Sequence, residues 1–135
     1  MTTTDSRSVI VERDIAHPPE KLWCALTQPH LVEEWIGMKS DIQPEVGHSF
    51  RFVGDWGGVD CQIVEIEPHR TLAYKWDAFG LVSVVTWTLT PTSTGTHLRM
   101  EQAGFRADQE QAFQGASASW PQFITTLESV VAKLD

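Results

Sequence analysis

Hydrophobic positions change their spacing twice along the chain, and these changes divide it into three parts. Residues 9–15 alternate between two faces, with Val9 and Ile15 on the same side, which is typical of a strand. Residues 17–37 instead carry apolar side chains at helical spacing in two short blocks. Each block begins beside a proline, and the second ends at Gly37, a residue type that favours a helix C-terminus. The first part therefore predicts one strand followed by two short helices.

The middle of the chain returns to a period of two. Phe50 and Phe52 alternate with polar residues, and short polar or glycine-bearing loops separate this segment from the alternating segments that follow. The sequence GDWGG predicts a turn with Trp56 at its tip. Residues 59–67 have mixed parity, which indicates a bulged strand. The middle part thus predicts an antiparallel meander with one buried face.

The last quarter has helical spacing, with apolar side chains every three or four residues from Phe113 to Leu134. Pro121 lies inside this pattern and predicts a kink or a restart of the helix near Ser119. A curved sheet that wraps around an amphipathic helix buries both apolar faces at once. The order of elements predicts an α+β fold with an antiparallel sheet of about six or seven strands. Two short helices follow strand 1, and a long C-terminal helix lies on the concave face.

Length and the character of the N-terminal residues set the expected organisation. A chain of 135 residues fits one core, so we expect a single domain over residues 9–135 and a disordered polar leader at residues 1–8. The leader lacks the apolar stretch of a signal peptide, and no run approaches the ~18 apolar residues of a membrane span. A cytoplasmic setting is therefore expected.

Charge excludes some classes of partner. The chain has 18 Asp and Glu residues against 10 Lys and Arg, which gives a formal net charge of −8. Nucleic-acid binding relies on a basic face that displaces counterions, and adhesion to anionic lipid needs the same sign of charge. We expect neither partner. The remaining functions are binding of a small molecule or protein, and catalysis.

Metal and cofactor chemistry has no support in the pattern of residues. The five histidines are scattered singly, and Cys24 and Cys61 do not form a CxxC pair. The sequence contains no phosphate-binding P-loop, no GxGxxG and no GxSxG motif. We therefore expect neither a metal nor an organic cofactor.

Acid–base catalysis would need a carboxylate or histidine held in a cavity. Arg51 and Glu101 have the parity of the solvent face, and Asp77 enters a turn that it could simply cap. The direction of Glu65 stays open because the predicted bulge lies beside it. No inward acid–base pair can be identified, so no catalytic residue is assigned.

Aromatic side chains give the strongest functional signal. Phe50, Phe52, Tyr74, Trp76 and Trp87 share the inward parity of the sheet, and the closing helix adds further rings. One interpretation is a filled core; the other is a core that leaves a ligand cavity, because bulky rigid rings are hard to pack without voids. Parity alone does not distinguish the two.

The sequence closely resembles the START-like, helix-grip (SRPBCC) superfamily, in the branch named for the activator of the heat-shock-protein-90 ATPase. The resemblance covers residues 9 to about 134. It rests on the order and spacing of five segments: PPEKLWCALTQPHLVEEWIG, VGHSFRF, IVEIEPHRTLAYKW, VVTWTLTPTSTGTHLRMEQAGF and SWPQFITTLESV. Ser119 stands where the family usually has glycine, and Pro121 follows the last tryptophan, so the course of the closing helix departs from the family pattern.

The resemblance implies the helix-grip fold but leaves the function open, since one scaffold serves carriers, receptors, cyclases and chaperone regulators. The preferred hypothesis is a binding protein, either a monomer or a homodimer, with a hydrophobic cavity for a lipid-like, aromatic or polyketide-like molecule. The alternatives are a cyclase or hydratase acting in the same cavity and a chaperone-associated stress regulator.

Strand parity, helix spacing and family position together predict the residues that line this cavity. They are Trp35, Phe50, Phe52, Tyr74, Trp76, Trp87, Phe113, Trp120 and Ile124. Glu65 and Asp77 are the candidate polar residues that would orient the ligand near the mouth.

Overall fold

Over the residues that the structure describes, the fold consists of three helices and one antiparallel sheet of seven strands. The computed structural model describes residues 7–55, 57–78 and 80–134. Its elements are β1 (Arg7–Ile15), α1 (Pro19–Thr27), α2 (Pro29–Ile36), β2 (Lys39–Ser40), β3 (Ser49–Gly54), β4 (Gly57–Glu67), β5 (Thr71–Ala78), β6 (Leu81–Thr92), β7 (Gly95–Phe105) and α3 (Glu110–Ala132). The strand order is β1-β7-β6-β5-β4-β3-β2. The predicted α+β helix-grip fold is confirmed, whereas Trp56, at the tip of the predicted turn, lies outside the described residues.

Helices α1 and α2 begin and end where their prolines and glycine predict. Pro19 and Pro29 occupy the first turns, where the missing N–H costs no hydrogen bond. Gly37 closes α2 in the left-handed conformation, with φ of 77°, and its N–H donates to the carbonyl of Glu33. The two helices pack on each other, and α2 also packs against α3.

Strand β1 begins earlier than the sequence pattern predicts. Arg7 pairs with Phe105 of β7, and its guanidinium contacts both the carboxylate of Glu110 and the ring of Phe113, with 4.0 Å between its carbon and the ring centroid. The predicted disordered leader is therefore wrong at Arg7 and Ser8, because long-range pairing orders a segment whose local composition is polar. Residues 1–6 lie outside the described residues.

The core lies between the concave face of the sheet and the second half of α3. Each central strand contributes an inward row, such as Val85, Trp87 and Leu89 of β6, which are at most 2% exposed. The helix meets these rows through its own buried side chains, which are Trp120, Ile124, Leu127, Val130 and Val131. Burial of such side chains at ~1.5–3 kcal/mol each dominates the stability of the fold.

Helix α3 is one unbroken element of 23 residues that includes Pro121. The predicted restart near Ser119 does not occur, because buried side chains on both sides of the proline hold the helix against the sheet. Arg13 of β1 adds a polar clamp at this point, with hydrogen bonds to the Pro121 carbonyl at 3.3 Å and to Glu128 at 2.8 Å. Among the described residues, no helix combines the length and the apolar character needed to cross a membrane.

Two glycines should respond oppositely to alanine. At Gly95, φ is 157° and an added Cβ would lie 2.1 Å from the carbonyl oxygen of Ile15, whereas at Gly115, inside α3, it would meet nothing within 4 Å. We expect Gly95→Ala to lower the free energy of unfolding by roughly 1–3 kcal/mol through the clash. Gly115→Ala should raise it by about 0.5–1 kcal/mol through helix propensity. Urea denaturation measures both, and two changes of the same sign would contradict the described backbone.

Candidate ligand-binding cavity

The first half of α3 carries small and polar residues on the side that faces the sheet. Ala112, Gly115, Ala116 and Ser119 occupy these positions, and the first buried residue of the helix is Trp120. Because these side chains are too short to reach the strands, a cavity of about 700 Å³ remains between this half of the helix and the sheet. That volume is within the ~300–1,000 Å³ of small-molecule sites.

Apolar side chains form most of the cavity walls. Strands β4, β5 and β6 supply one side, Met38, which directly precedes β2, supplies another, and α3 forms the cover. The apolar lining residues are Met38, Val59, Trp76, Ala78, Leu81, Ala112, Gly115, Ala116, Trp120 and Phe123. The polar lining residues are Gln102, Asp108, Gln109, Glu110, Gln111 and Ser119, and all of these except Gln102 and Ser119 lie around the start of α3. The cavity thus has an apolar interior and a polar rim.

A chain of buried hydrogen bonds crosses the floor of the cavity. The indole Nε1 of Trp120 donates to Oε1 of Gln102 at 2.7 Å, and Nε2 of Gln102 donates to the hydroxyl of Ser83 at 3.0 Å. The Ser83 hydroxyl donates in turn to the backbone carbonyl of Trp76 at 2.8 Å. This chain connects α3 to β7, β6 and β5, and so fixes Trp120 at the edge of the cavity.

Gln102 and Ser83 are not among the residues predicted for the site, although their positions in the sequence carry a signal. Both occupy inward positions in otherwise apolar rows, Gln102 after Leu98 and Met100 in β7, and Ser83 before Val85 in β6. A polar side chain at an inward parity position has to find a buried partner. These two residues find each other because Val85, the neighbour of Ser83 in the inward row, is paired with Gln102 in the sheet register.

Of the predicted lining residues, Trp76 and Trp120 lie at this cavity. Their rings are in contact, with centroids 5.5 Å apart. The structure places the others away from it. Phe113 is half-buried at the side of α3, with its ring edge-on to Phe105 at 5.5 Å between centroids. The remaining predicted residues, which are Trp35, Phe50, Phe52, Tyr74, Trp87 and Ile124, belong to the buried core.

Close ring packing explains why those aromatic residues fill the core. Phe50 meets Tyr74 at 5.3 Å and Trp35 meets Trp87 at 5.6 Å between centroids, in both cases edge to face. The polar atoms are also engaged, since Nε1 of Trp87 donates to the Tyr74 hydroxyl at 3.0 Å and Nε1 of Trp35 donates to the Ala25 carbonyl at 2.8 Å. Burial raises the pKa of the Tyr74 hydroxyl, which keeps it neutral.

Glu65 and Asp77 lie outside the cavity. Strand β4 has the predicted bulge, and the register with β5 shifts between Ile63 and Glu65. The extra residue lets Ile63 and Ile66 both face inward and turns Glu65 to solvent. Asp77 has the opposite parity to Trp76 and is half-buried, and its Oδ1 has no hydrogen-bond partner among the described residues.

The rim carries the ionisable side chains of the site. Glu110 is paired with Arg7, and Asp108 is paired with Arg106 at 3.2 Å. The hydrogen bond from Arg7, helped by one from Gln114, holds the pKa of Glu110 below its usual range. Of the described residues that line the cavity, none is Lys, Arg, His or Cys. Within the same part of the chain, no group of three or more His, Cys, Asp or Glu is placed to hold a metal.

Comparison with protein families gives one match over most of the chain. The sequence model of the family described as activator of Hsp90 ATPase homolog 1-like protein matches residues 16–132. No curated protein matches the sequence.

Several solved structures are similar to this chain over nearly its whole length. Protein MLL2253 from Mesorhizobium loti is 57% identical, with a TM-score of 0.92 over 96% of this chain and 99% of that chain. DynU16, a protein in the dynemicin biosynthetic locus, is 25% identical, with a TM-score of 0.83 over 93% of this chain and 47% of its own. CalU16 from Micromonospora echinospora is also 25% identical, with a TM-score of 0.78 over 95% of this chain and 78% of its own.

The contact between Trp120 and Gln102 should be measurable as a coupling energy. Trp120→Phe removes the indole donor and leaves the buried Oε1 of Gln102 unpaired, so we expect a loss of roughly 1–3 kcal/mol in unfolding free energy beyond the loss of ring packing. Adding Gln102→Met removes the stranded acceptor. A double-mutant cycle by urea denaturation should therefore give a coupling of about 1 kcal/mol. Strictly additive effects would show that this hydrogen bond is not formed in solution.

Proposed function

The chain belongs to the activator of Hsp90 ATPase homolog 1-like family, and from that premise we propose that it binds a neutral, largely apolar small molecule between α3 and the sheet. The family and the fold support a ligand-binding cavity protein in general. The observation that carries the proposal is the cavity of about 700 Å³ beside the buried core.

The character of the walls supports an apolar ligand. Each Å² of apolar surface removed from water contributes ~25 cal/mol before the costs of association are subtracted. Trp76, Trp120 and Phe123 offer large rigid surfaces, and Met38 offers a flexible one that adapts to the outline of a ligand. A lipid-like, aromatic or polyketide-like molecule suits such walls, and the location of DynU16 in a biosynthetic locus supports a small organic ligand.

The ligand should be uncharged where it enters the apolar interior. A carboxylate placed there would lose its hydration without gaining a cationic partner, because none of the described lining residues is Lys, Arg or His. The carboxylates of Asp108 and Glu110 at the rim would also repel an anion, although their arginine partners reduce the effect.

The enzyme alternative has weaker support. A general acid or base has to reach the reacting atom in the cavity, and the ionisable side chains among the described lining residues are confined to the rim. At the rim, Glu110 forms an ion pair with Arg7, and Asp108 forms one with Arg106. We therefore propose binding rather than turnover as the role of this site.

Filling the cavity should abolish binding without disturbing the fold. Ala116 lines the cavity, and Ala118, two residues later in α3, is exposed and does not. We expect wild-type protein to bind at least one of three neutral probes, methyl laurate, flavone and fluorenone, with one-to-one stoichiometry. Ala116→Phe should weaken that binding roughly tenfold or more because the ring occupies ligand space, whereas Ala118→Phe should leave it unchanged.

Native mass spectrometry gives the stoichiometry, and quenching or a blue shift of tryptophan fluorescence gives the affinity. Circular dichroism checks that both variants are folded. No binding of any of the three probes, or equal weakening by the two variants, would count against a ligand site under α3.

Charge on the ligand should oppose binding. We expect laurate to bind at least about tenfold more weakly than methyl laurate at pH 8, because its carboxylate has no cation to meet in the apolar interior. Fluorescence titration below the critical micelle concentration of laurate measures the difference. An equal or stronger affinity for laurate would show that the head group stays outside or finds a cation.

A further inference from the structure

Gln102 is the one described lining residue that is both polar and deeply buried, with 2% of its surface exposed. Its amide lies in the floor of the cavity and takes part in the hydrogen-bond chain from Trp120 to Trp76. The chemistry of that chain determines which atoms of the amide remain available to a ligand.

The orientation of the amide follows from the donors and acceptors around it. An indole N–H can only donate, so the carbonyl oxygen of Gln102 has to face Trp120. A backbone carbonyl can only accept, so the Ser83 hydroxyl donates its one proton to the carbonyl of Trp76. The hydroxyl oxygen can then only accept a hydrogen bond from the amide nitrogen of Gln102. The amide therefore cannot be flipped without breaking two hydrogen bonds.

In this orientation, one proton of the Gln102 amide nitrogen has no hydrogen-bond acceptor within the described part of the chain. The amide nitrogen carries two protons, and Ser83 takes one of them. The second has no acceptor among the described residues. Because Gln102 lines the cavity, an acceptor that arrives with a ligand can form a hydrogen bond with this second proton.

We propose that Gln102 donates its second amide proton to a neutral oxygen of the ligand, and that the cavity thereby selects aromatic ketones and quinones over the corresponding hydrocarbons. This inference rests on the proposed function. A neutral oxygen fits because the donor is itself uncharged and no cationic side chain among the described lining residues stands beside it to hold an anion.

Aromatic surfaces next to Gln102 favour a flat ligand. The ring of Trp120 contacts that of Trp76, with 5.5 Å between centroids and 57° between planes, and contacts Phe123 edge to face at 5.5 Å. Aromatic rings favour offset or edge-to-face packing on such surfaces. A planar ligand that lies on these rings can bring an oxygen at its edge to the amide in the floor.

Fluorenone and fluorene test the inference because they differ only in a carbonyl in place of a methylene group. We expect wild-type protein to bind fluorenone about three- to tenfold more tightly than fluorene, the effect of one hydrogen bond to a buried donor. In Gln102→Met, which keeps the length of the side chain, the preference should disappear while fluorene affinity changes little. Ala118→Phe, away from the cavity, should keep the preference.

A second measurement avoids the variant, because Gln102→Met also strands the indole of Trp120. In nitrogen–proton NMR spectra of wild-type protein, one of the two amide protons of Gln102 should move downfield with fluorenone and not with fluorene. Equal affinities for the two compounds, or an unmoved amide in the fluorenone complex, would overturn the role of Gln102 and leave the proposed function standing. Failure of both compounds to bind would overturn this inference, and failure of the neutral probe panel as well would remove the proposed function.

Discussion

Helix α3 meets the sheet through two different surfaces, and the difference between them makes the cavity. From Trp120 onward its inward side chains are large and buried, so the helix is held tightly against the concave face. Before Trp120 the inward positions carry Ala112, Gly115 and Ala116, which leave the strands uncovered. Because one rigid helix carries both surfaces, the packed half fixes the distance at which the unpacked half spans the sheet.

The hydrogen-bond chain through Gln102 both holds α3 on the sheet and forms part of the cavity wall. It connects α3 with three neighbouring strands at the boundary between the packed and the open half. The chain pairs the indole of Trp120 with the carbonyl oxygen of Gln102, so neither of these two buried polar atoms is left without a partner. The donor that remains is the point at which the floor of the cavity can distinguish one ligand from another.

Much of the fold was predictable from local pattern, whereas the cavity was not. The alternating pattern places Phe50, Tyr74 and Trp76 on the same face of the sheet. Only the position of α3 determines that Phe50 and Tyr74 are packed in the core whereas Trp76 borders the cavity. Periodicity also cannot predict long-range pairs such as the contact of Arg7 with Glu110, which orders the start of β1. The inward parity of Gln102 in β7 does indicate a buried polar residue, but it does not show that this residue borders the cavity.

The most direct test of a ligand site under α3 uses two methionines as reporters. Met38 lines the cavity, and Met100 lies in the filled core with no exposed surface. In a protein labelled with ¹³C at the methionine methyl groups, saturation with fluorenone should shift the Met38 resonance markedly and the Met100 resonance little. A shift of Met100 without one of Met38, or no shift of either in a protein shown to be saturated, would contradict the account.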